Sequence, residues 1–475
     1  MDKKKVLVLG LGKTGISVLK KVHKLSDEII GFDNNPDYDI TKECKYLRNI
    51  KNISIYTGDK ADEVINRLNK VDLIITSPGV SGDNDIILSA KERKIPVISE
   101  LEFSWQLMSE KQRKNTIAVT GTNGKTTVVS LINYLLNQCG KQAIACGNIG
   151  NPLLDTLEFE INEISNTKGY VKNDEIIRVI EVSSFQLENI IDFSPFLAVL
   201  LNITEDHIDR HKSMDDYAKI KFKIFKNQSS EAYSILNLDD EYTNKFLKKP
   251  EIIGNFKSKL IFYSLHKKEK SNLYYEGKSI FYDFYGKNGD INILNRKLVG
   301  KHNILNILAA FTAAKIFGLK DDEISKSIIN FNPLEHRLEY VGEINGIRCF
   351  NDSKATNPDA TLKALENFNK EVTIILGGLD KEVDFSCLTP ALNKKVKNVI
   401  LIGSCKDKLS DLFSKKKQNF KVFKADSLEM AVEIGLKVSK RGEVFLLSPA
   451  CASMDMFKDY KDRGEKFKKL LLKSN

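Results

Sequence analysis

Short runs of β-branched and aliphatic residues recur along the chain and alternate with stretches whose apolar positions repeat at helical spacing. The runs are Lys5–Leu9, Glu28–Phe32, Leu73–Thr76, Thr116–Thr120, Arg178–Val182, Leu197–Asn202, Val372–Leu376, Asn398–Ile402 and Glu443–Ser448. Strands separated by helical segments predict parallel sheets of α/β type. The rhythm falls into three blocks, with breaks near Pro96–Glu102 and Asn330–His336. Two segments interrupt it. Glu160–Glu175 is polar and reads as a loop insertion, and Leu260–Val299 alternates in the manner of antiparallel strands.

The length, 475 residues, agrees with three blocks of ordinary domain size. An apolar fraction of 42% and a charged fraction of 29% exclude wholesale disorder and a fibre. No apolar run approaches the roughly 20 residues needed to span a bilayer. The opening Met1-Asp-Lys-Lys-Lys before Val6-Leu-Val-Leu resembles a secretory leader only faintly. Lys13 cuts the apolar stretch and an Ala-x-Ala site is missing, so a first strand and a cytoplasmic location are expected. The net charge is +10, but the basic residues are scattered, which speaks against a nucleic-acid face. Lysine outnumbers arginine 62 to 11, a bias of composition. Seven cysteines without a C-x-x-C pair read as reduced thiols.

Two glycine loops carry candidate chemistry. Gly10-Leu-Gly-Lys-Thr-Gly15 follows a strand and opens a helix, with Asp33 at the end of the next strand. Such a loop suits a phosphate at a helix N-terminus. It fits NAD(P), another nucleotide or sugar phosphate, or a tight turn with no ligand. Ile117-Ala-Val-Thr-Gly-Thr-Asn-Gly-Lys-Thr-Thr127 is more specific, although Val119 stands where a P-loop has its first glycine. Gly121, Gly124, Lys125 and Thr126 retain what ATP needs: backbone N–H groups for the phosphates, an ammonium for the β/γ oxygens, and a hydroxyl for Mg²⁺. Thr122, Asn123 and Thr127 complete the predicted loop.

A phosphate loop needs a metal holder nearby. Glu181 ends a predicted strand, where it would hold Mg²⁺ or cap a helix. His207 and His211 have the i, i+4 spacing of a zinc pair, but no H-E-x-x-H glutamate accompanies them and hard oxygen donors surround them. That setting favours a Mg²⁺ role for His207 over zinc.

The motifs together resemble the ATP-dependent Mur ligases of peptidoglycan synthesis. They include Gly147-Asn-Ile-Gly, Glu181–Glu188, Asn202–Arg210, Gly300-Lys-His-Asn-Ile-Leu-Asn, His336-Arg-Leu-Glu, Asn351-Asp-Ser-Lys-Ala-Thr-Asn, Gly377-Gly-Leu-Asp-Lys and Ser448-Pro-Ala-Cys-Ala-Ser-Met-Asp, besides the two glycine loops. Glu181-Val-Ser-Ser-Phe-Gln and the last motif point to the branch that adds D-glutamate. The resemblance implies a three-domain α/β protein. Residues 1–98 would be a Rossmann-like domain binding the UDP-substrate. Residues 99–332 would be a central P-loop ATPase-type parallel sheet with ATP and Mg²⁺. Residues 333–475 would be a second Rossmann-like domain that binds D-glutamate and completes the ATP site.

By the same resemblance, ATP phosphorylates the carboxylate of UDP-N-acetylmuramoyl-L-alanine, and the amine of D-glutamate attacks the acyl phosphate. Thr14, Asn34 and Gly79 are expected near the uridine diphosphate, and Asn148, Ser183 and Gln186 near the muramoyl part. Asn306, Arg337 and Asp352 are expected at the nucleotide, Lys354 among the catalytic residues, and Thr356, Lys381, Ser453 and Tyr460 at D-glutamate. Lys221 matches the family's carbamoylated lysine and joins Thr126, Glu181 and His207 as a ligand of one of two Mg²⁺ ions. Lys219 and Lys223, on the same predicted helix, read as solvated charges. A monomer without membrane insertion or nucleic-acid binding is expected. Alternatives are a Mur-type ligase adding another amino acid, an NAD-dependent oxidoreductase built on the first loop, and a nucleotide-regulated binding protein.

Overall fold

The computed structural model describes residues 4–40, 44, 47, 50–157, 173–249, 252, 254, 256–298, 300–332, 334–369, 371–380, 383–414 and 418–473. The polar insertion therefore lies mostly outside the described residues, and so does Lys381. Three sheets are present, one for each block of the sequence rhythm.

The first sheet comprises β1 (Lys4–Leu9), β2 (Ser26–Asp33), β3 (Ile53–Thr57), β4 (Leu73–Thr76) and β5 (Val97–Ser99), all parallel, in the order β3-β2-β1-β4-β5. Alternation along β1 sorts its side chains onto two cores. Val6 and Val8 pack with Val18, Leu19 and Val22 of the first helix, while Leu7 and Leu9 pack with Ile86 and Ile87 on the other face. Both faces are covered, as a parallel sheet requires.

The second sheet comprises β6 (Thr116–Thr120), β7 (Ala143–Gly147), β8 (Ile177–Glu181), β9 (Leu197–Leu200), β10 (Tyr233–Asn237), β11 (Lys259–Ser264), β12 (Leu273–Glu276), β13 (Ser279–Phe284) and β14 (Lys287–Asn292). Their order is β14-β13-β12-β11-β10-β9-β6-β8-β7. The expectation of antiparallel strands over 260–299 holds for β12–β13 and β13–β14, but β11 runs parallel to β10 and β12 parallel to β11. Alternation reports a half-buried face and is blind to strand direction.

The third sheet comprises β15 (Glu339–Ile344), β16 (Ile347–Asn351), β17 (Val372–Gly377), β18 (Val396–Ile402), β19 (Lys421–Lys424) and β20 (Val444–Leu447). The order is β15-β16-β20-β17-β18-β19, with β15 alone antiparallel to its neighbour. Ile374 and Leu376 face one core and Ile375 the other, so this sheet too is buried on both sides.

The chain forms two compact units: residues 1–203, 215–293 and 305–328, which hold the first two sheets, and residues 204–214, 294–304 and 329–475, which hold the third. Within the first unit, helix Glu100–Leu107 follows β5 and is capped by Ser99 Oγ, which accepts from Glu102 N at 3.3 Å. Glu102 is fully buried, and its carboxylate accepts the backbone N–H groups of Ile191, Asp192 and Phe193 at 2.9–3.1 Å. Lys13 Nζ donates to Gly150 O at 2.6 Å, and Ser17 Oγ to Asp155 Oδ1 at 2.5 Å. These polar contacts link the first helix to the loop after β7. No helix among the described residues is long and apolar enough to cross a membrane.

Candidate active site

In both sheets of the first unit the glycine loops lie where strand order reverses, outside the carboxyl ends of the strands, as ligand sites of open α/β sheets do. The first loop follows β1, and Gly79 follows the neighbouring β4. Ser77 Oγ donates to Gly10 O at 2.6 Å and closes that gap. Asp33, at the end of β2, turns back on the loop. Its carboxylate accepts from Leu11 N at 2.7 Å and from Asn35 N at 3.0 Å. Thr14 lies in the first turn of helix Lys13–Val22, and Asn34 is exposed beyond β2. Gly79 is exposed, and a Cβ there would meet nothing within 4 Å.

The second loop joins β6 to helix Lys125–Gln138, whose N-terminal N–H groups and positive dipole end face the loop. Gly124 is required twice over: its φ is +87°, and a Cβ would lie 2.5 Å from Asn306 Oδ1. Asn306 is buried, and its side-chain oxygen occupies the space beside Gly124. Lys125 Nζ donates to the loop's own carbonyls, Gly121 O and Thr122 O, both at 2.7 Å. Thr126 Oγ1 donates to Glu181 Oε2 at 2.8 Å, and Asn148 Nδ2 donates to Glu181 Oε1 at 2.9 Å. Strand β8 therefore delivers its terminal carboxylate to the loop's hydroxyl, and the loop after β7 orients it. Thr122 Oγ1 lies 3.3 Å from Tyr217 Oη, and Thr127 is buried.

Asn202, just beyond β9, was given no role by sequence reasoning. Its Oδ1 accepts from Asn123 N at 2.9 Å, its Nδ2 donates to Asn123 O at 3.1 Å, and its carbonyl accepts from Thr122 N at 2.9 Å. It grips the phosphate loop on both backbone polarities. The signal available was its place at the head of the Asn202–Arg210 motif, at the end of a predicted strand.

Helix Met214–Phe222 brings Lys221 to the same loop. Lys221 is buried, donates from Nζ to Gly121 O at 2.9 Å, and sits 4.5 Å from the centre of the Tyr217 ring. Lys219 is exposed, as expected. Lys223 is not a solvated charge: it is partly buried, donates to Glu188 O at 2.8 Å, and burial pulls its pKa below the usual lysine value. The helix ends at Phe222, and Lys223 opens a 3₁₀ turn over Lys223–Phe225 rather than continuing the helix. Ser183 and Gln186 form a reciprocal capping box that opens helix Ser184–Glu188, with Ser183 N donating to Gln186 Oε1 at 3.0 Å and Gln186 N to Ser183 Oγ at 3.3 Å.

The second unit holds the remaining candidates. His207 has a φ of +56° and precedes the short helix Ile208–His211, and its Nε2 lies 3.7 Å from Asp206 Oδ2. Asn357 Nδ2 donates to Asp206 at 3.3 Å, which ties this segment to the start of helix Pro358–Glu366. Asp352 follows β16 and is buried. It accepts from Ser448 Oγ at 2.8 Å and Leu338 N at 3.1 Å, yet burial lifts its pKa to about 7 while Arg337 and Arg463 act to lower it. The Lys354 ammonium lies 3.9 Å from the centre of the Tyr460 ring. Ser453, buried, lies in the loop after β20, and Thr356 is partly buried two residues beyond Lys354. Tyr460 opens the last helix, Tyr460–Lys473. The third sheet's loops thus gather Asp352, Lys354, Ser453 and Tyr460 at the carboxyl ends of β16 and β20. Among the described residues, one cluster of His and carboxylates has metal-binding spacing: Glu335, His336 and Glu465. Lys468 Nζ already lies 3.3 Å from Glu335 and 2.7 Å from Glu465.

Comparisons with known proteins agree along the whole chain. Residues 4–99 match the Mur ligase MurD-like N-terminal domain, 119–314 the Mur ligase middle domain and 336–451 the Mur ligase glutamate ligase domain. The chain is 38% identical over 472 residues to the UDP-N-acetylmuramoylalanine–D-glutamate ligase of Caldicellulosiruptor saccharolyticus, covering 98% of each chain. It is 34% identical over 465 residues to the ligase of the same name from Clostridioides difficile, covering 98% of this chain and 97% of that one. Among solved structures, the UDP-N-acetylmuramate–alanine ligase of Thermotoga maritima shares the fold with a TM-score of 0.58 at 19% identity, over 99% of this chain and 100% of that one. The MurF ligase of the same organism, solved in complex with ADP, gives a TM-score of 0.57 at 17% identity, over 100% of this chain and 96% of that one.

Proposed function

We propose, from the premise that the chain belongs to the Mur ligase family, that it uses ATP to join D-glutamate to UDP-N-acetylmuramoyl-L-alanine, a step in peptidoglycan synthesis. The observation that carries this reading is the 2.8 Å contact between Thr126 Oγ1 and Glu181 Oε2 at the mouth of the 121–127 loop. These are hard oxygen donors beside a helix N-terminus, the setting a nucleotide triphosphate and Mg²⁺ require.

A carboxylate and a triphosphate repel, so in-line transfer needs cations around both. Lys125 exchanges its loop carbonyls for β/γ oxygens when nucleotide enters. Thr126 and Glu181 suit one Mg²⁺, and we assign a metal-ligand role to His207 of the second unit and, separately, to Lys221 of the first. Bound Mg²⁺ supplies charge neutralisation at the transferring phosphoryl group. Asn148 holds the Glu181 carboxylate so that Oε2 is presented to the loop, and Asn202 fixes the peptide of Asn123 against the phosphates.

Lys221 acts in this reading as its carbamate. The ammonium first gives up a proton; the neutral amine then forms an N–C bond to CO₂ and releases a second proton, leaving an N-carboxylate that turns a buried cation into an oxygen ligand. The carbamate nitrogen keeps one N–H, so the 2.9 Å contact with Gly121 O is compatible with the modified side chain.

The domain roles follow the family pattern. Residues 1–98 take the uridine diphosphate near Thr14, Asn34 and Gly79. Residues 99–332 hold ATP and Mg²⁺, with Asn148 towards the muramoyl group. For Ser183 and Gln186 the capping box is a competing use that leaves less of each side chain for substrate. Residues 333–475 carry Arg337 and Asp352 for the nucleotide, Lys354 as a catalytic cation, and Thr356, Lys381, Ser453 and Tyr460 for D-glutamate. The incoming substrate has two carboxylates, which suit lysines and hydroxyls. A cytoplasmic monomer completes the proposal, and mass measurement in solution tests its oligomeric part.

The deciding assay measures phosphate release with UDP-N-acetylmuramoyl-L-alanine across D-glutamate, L-glutamate, L-alanine and meso-diaminopimelate. Release with D-glutamate alone is expected. Preference for another amino acid would assign the chain to a different Mur-type ligase.

A further inference from the structure

Lys13 belongs to the first glycine loop and opens helix Lys13–Val22, where an ammonium meets the positive end of the helix dipole and no acidic residue stands in the first turn to balance it. A cation there would suit a bound phosphate, but the two contacts it makes lead elsewhere. Nζ donates to Gly150 O at 2.6 Å and to Asn151 Oδ1 at 3.1 Å, 137 and 138 residues along the chain. Four residues further on, and so on the same face of the helix, Ser17 Oγ donates to Asp155 Oδ1 at 2.5 Å. Two polar struts thus tie the helix that opens at the first loop to one short segment.

That segment starts at the end of β7, beside the carboxylate that meets the phosphate loop. Gly147 N donates to Asn151 O at 2.8 Å and closes a tight reversal. Asn148 N donates to Glu181 O at 2.9 Å, its Nδ2 donates to Glu181 Oε1 at 2.9 Å, and a Cβ on Gly147 would lie 2.4 Å from Glu181 O. The reversal is therefore seated on the end of β8. Six residues after Asn148, Leu154 is buried in the core of the first sheet with Val18 and Leu19, and its N–H donates to Glu100 Oε1 at 2.9 Å. Residues 147–155 form a bridge of fixed length, with one foot at Glu181 and the other in the first sheet's core. Its two ends lie at the places that one extended substrate has to reach, the first glycine loop for the diphosphate and Asn148 for the muramoyl part. Gly150 and Asn151 are exposed, so packing contributes little to their placement, and a charged donor gives the stronger hold.

We propose that Lys13 is a positioning residue that sets the span between the uridine-diphosphate loop and Asn148, so that one molecule of the UDP-substrate meets both. This rests on the ligase reading given above. The test is calorimetric binding, without ATP, of UDP and of UDP-N-acetylmuramoyl-L-alanine to wild type, Lys13→Met and Ser17→Ala, with unfolding midpoints and steady-state constants measured alongside. Lys13 is exposed and methionine keeps an unbranched side chain, so the first variant is expected to fold with an unchanged midpoint. Its Kd for UDP should stay within about twofold of wild type, since UDP needs only the first loop. Kd and KM for the whole substrate should rise about fivefold or more, as displaced positioning groups cause, with KM for D-glutamate within about twofold. Ser17→Ala releases the second strut and should separate the two affinities in the same direction. It decides the matter if Lys13→Met is unstable. Equal losses for UDP and the whole substrate would overturn the proposal, by making Lys13 a direct ligand of the diphosphate or, with a lowered midpoint, a general support of the fold. Affinities for both ligands within about twofold of wild type in folded variants would overturn it as well. Wild-type protein that binds neither ligand would instead overturn the ligase reading itself.

Discussion

Two histidine and carboxylate environments in the second unit pull stability in opposite directions as pH changes. Burial lowers the His302 pKa from 6.5 to about 4, with Lys363 adding to the effect and Asp359 opposing it. The unfolded chain then takes up a proton that the folded one refuses, so this residue makes stability fall as pH drops from 6.5 towards 4. Asp352 is the converse. Burial raises its pKa from 3.8 to about 7, so the folded chain keeps a proton that the unfolded one has released, and stability falls as pH rises through that window. In wild type the two slopes offset one another between about pH 4 and 6.5. Single variants should unmask them. Relative to wild type, the denaturation midpoint of Asp352→Asn is expected to rise with pH across this range, and that of His302→Gln to fall. Parallel profiles for all three proteins would refute both assignments. Lys221 yields a chemical prediction. Lys221→Ala should lose most activity and Lys221→Arg should not recover it, because a guanidinium cannot add CO₂. A bare amine found by mass measurement in active enzyme, or near-full activity in the arginine variant, would end the carbamate reading.

Elements were legible where local chemistry decides them. Leu73–Thr76 and Thr116–Thr120 are strands with the bounds that their β-branched runs suggested. The phosphate loop was legible because few residues other than glycine tolerate the φ of +87° at Gly124. What escaped was set by distant chain. The grip of Asn202 on Asn123 depends on β9 lying beside β6. Helix Glu100–Leu107 shows the same limit, since nothing local to its acidic first turn marks it as buried. In the fold, Glu102 is a buried acceptor for three successive N–H groups, and Trp105 on the same helix meets Phe193 edge-on at 5.2 Å. Glu102→Gln turns one acceptor oxygen into an N–H group facing those donors. A loss of roughly 2–3 kcal/mol is expected, since hydrogen bonds to a buried carboxylate exceed neutral ones and the new N–H group faces donors rather than an acceptor. Chemical denaturation measures it. A change under about 0.5 kcal/mol would show that the segment 191–193 finds other acceptors.

At the scale of the whole chain, the three-block rhythm anticipated three sheets, but chain threading between the compact units could not be read from periodicity. The second unit is assembled from residues 204–214, 294–304 and 329–475, separated by 79 residues (215–293) and 24 residues (305–328) of the first. This sets an order of unfolding. If the second unit opens while the first stays folded, its two inner segments become closed loops of 11 residues each, 204–214 and 294–304. If the first opens while the second stays folded, the loops to be closed are the 79- and 24-residue segments. Closure entropy grows with the logarithm of loop length, and the second route is disfavoured by about 2–3 kcal/mol on that account. The second unit should therefore open first. Native-state hydrogen exchange resolves this strand by strand. Buried amides of β17 and β20, such as Ile374 and Leu446, are expected to exchange at a lower free energy than those of β6 and β8, such as Ala118 and Ile180. Added denaturant should bring the third sheet into exchange while the second sheet remains protected. Protection of the third sheet that outlasts the second would contradict the threading argument and place the stability difference in the cores themselves.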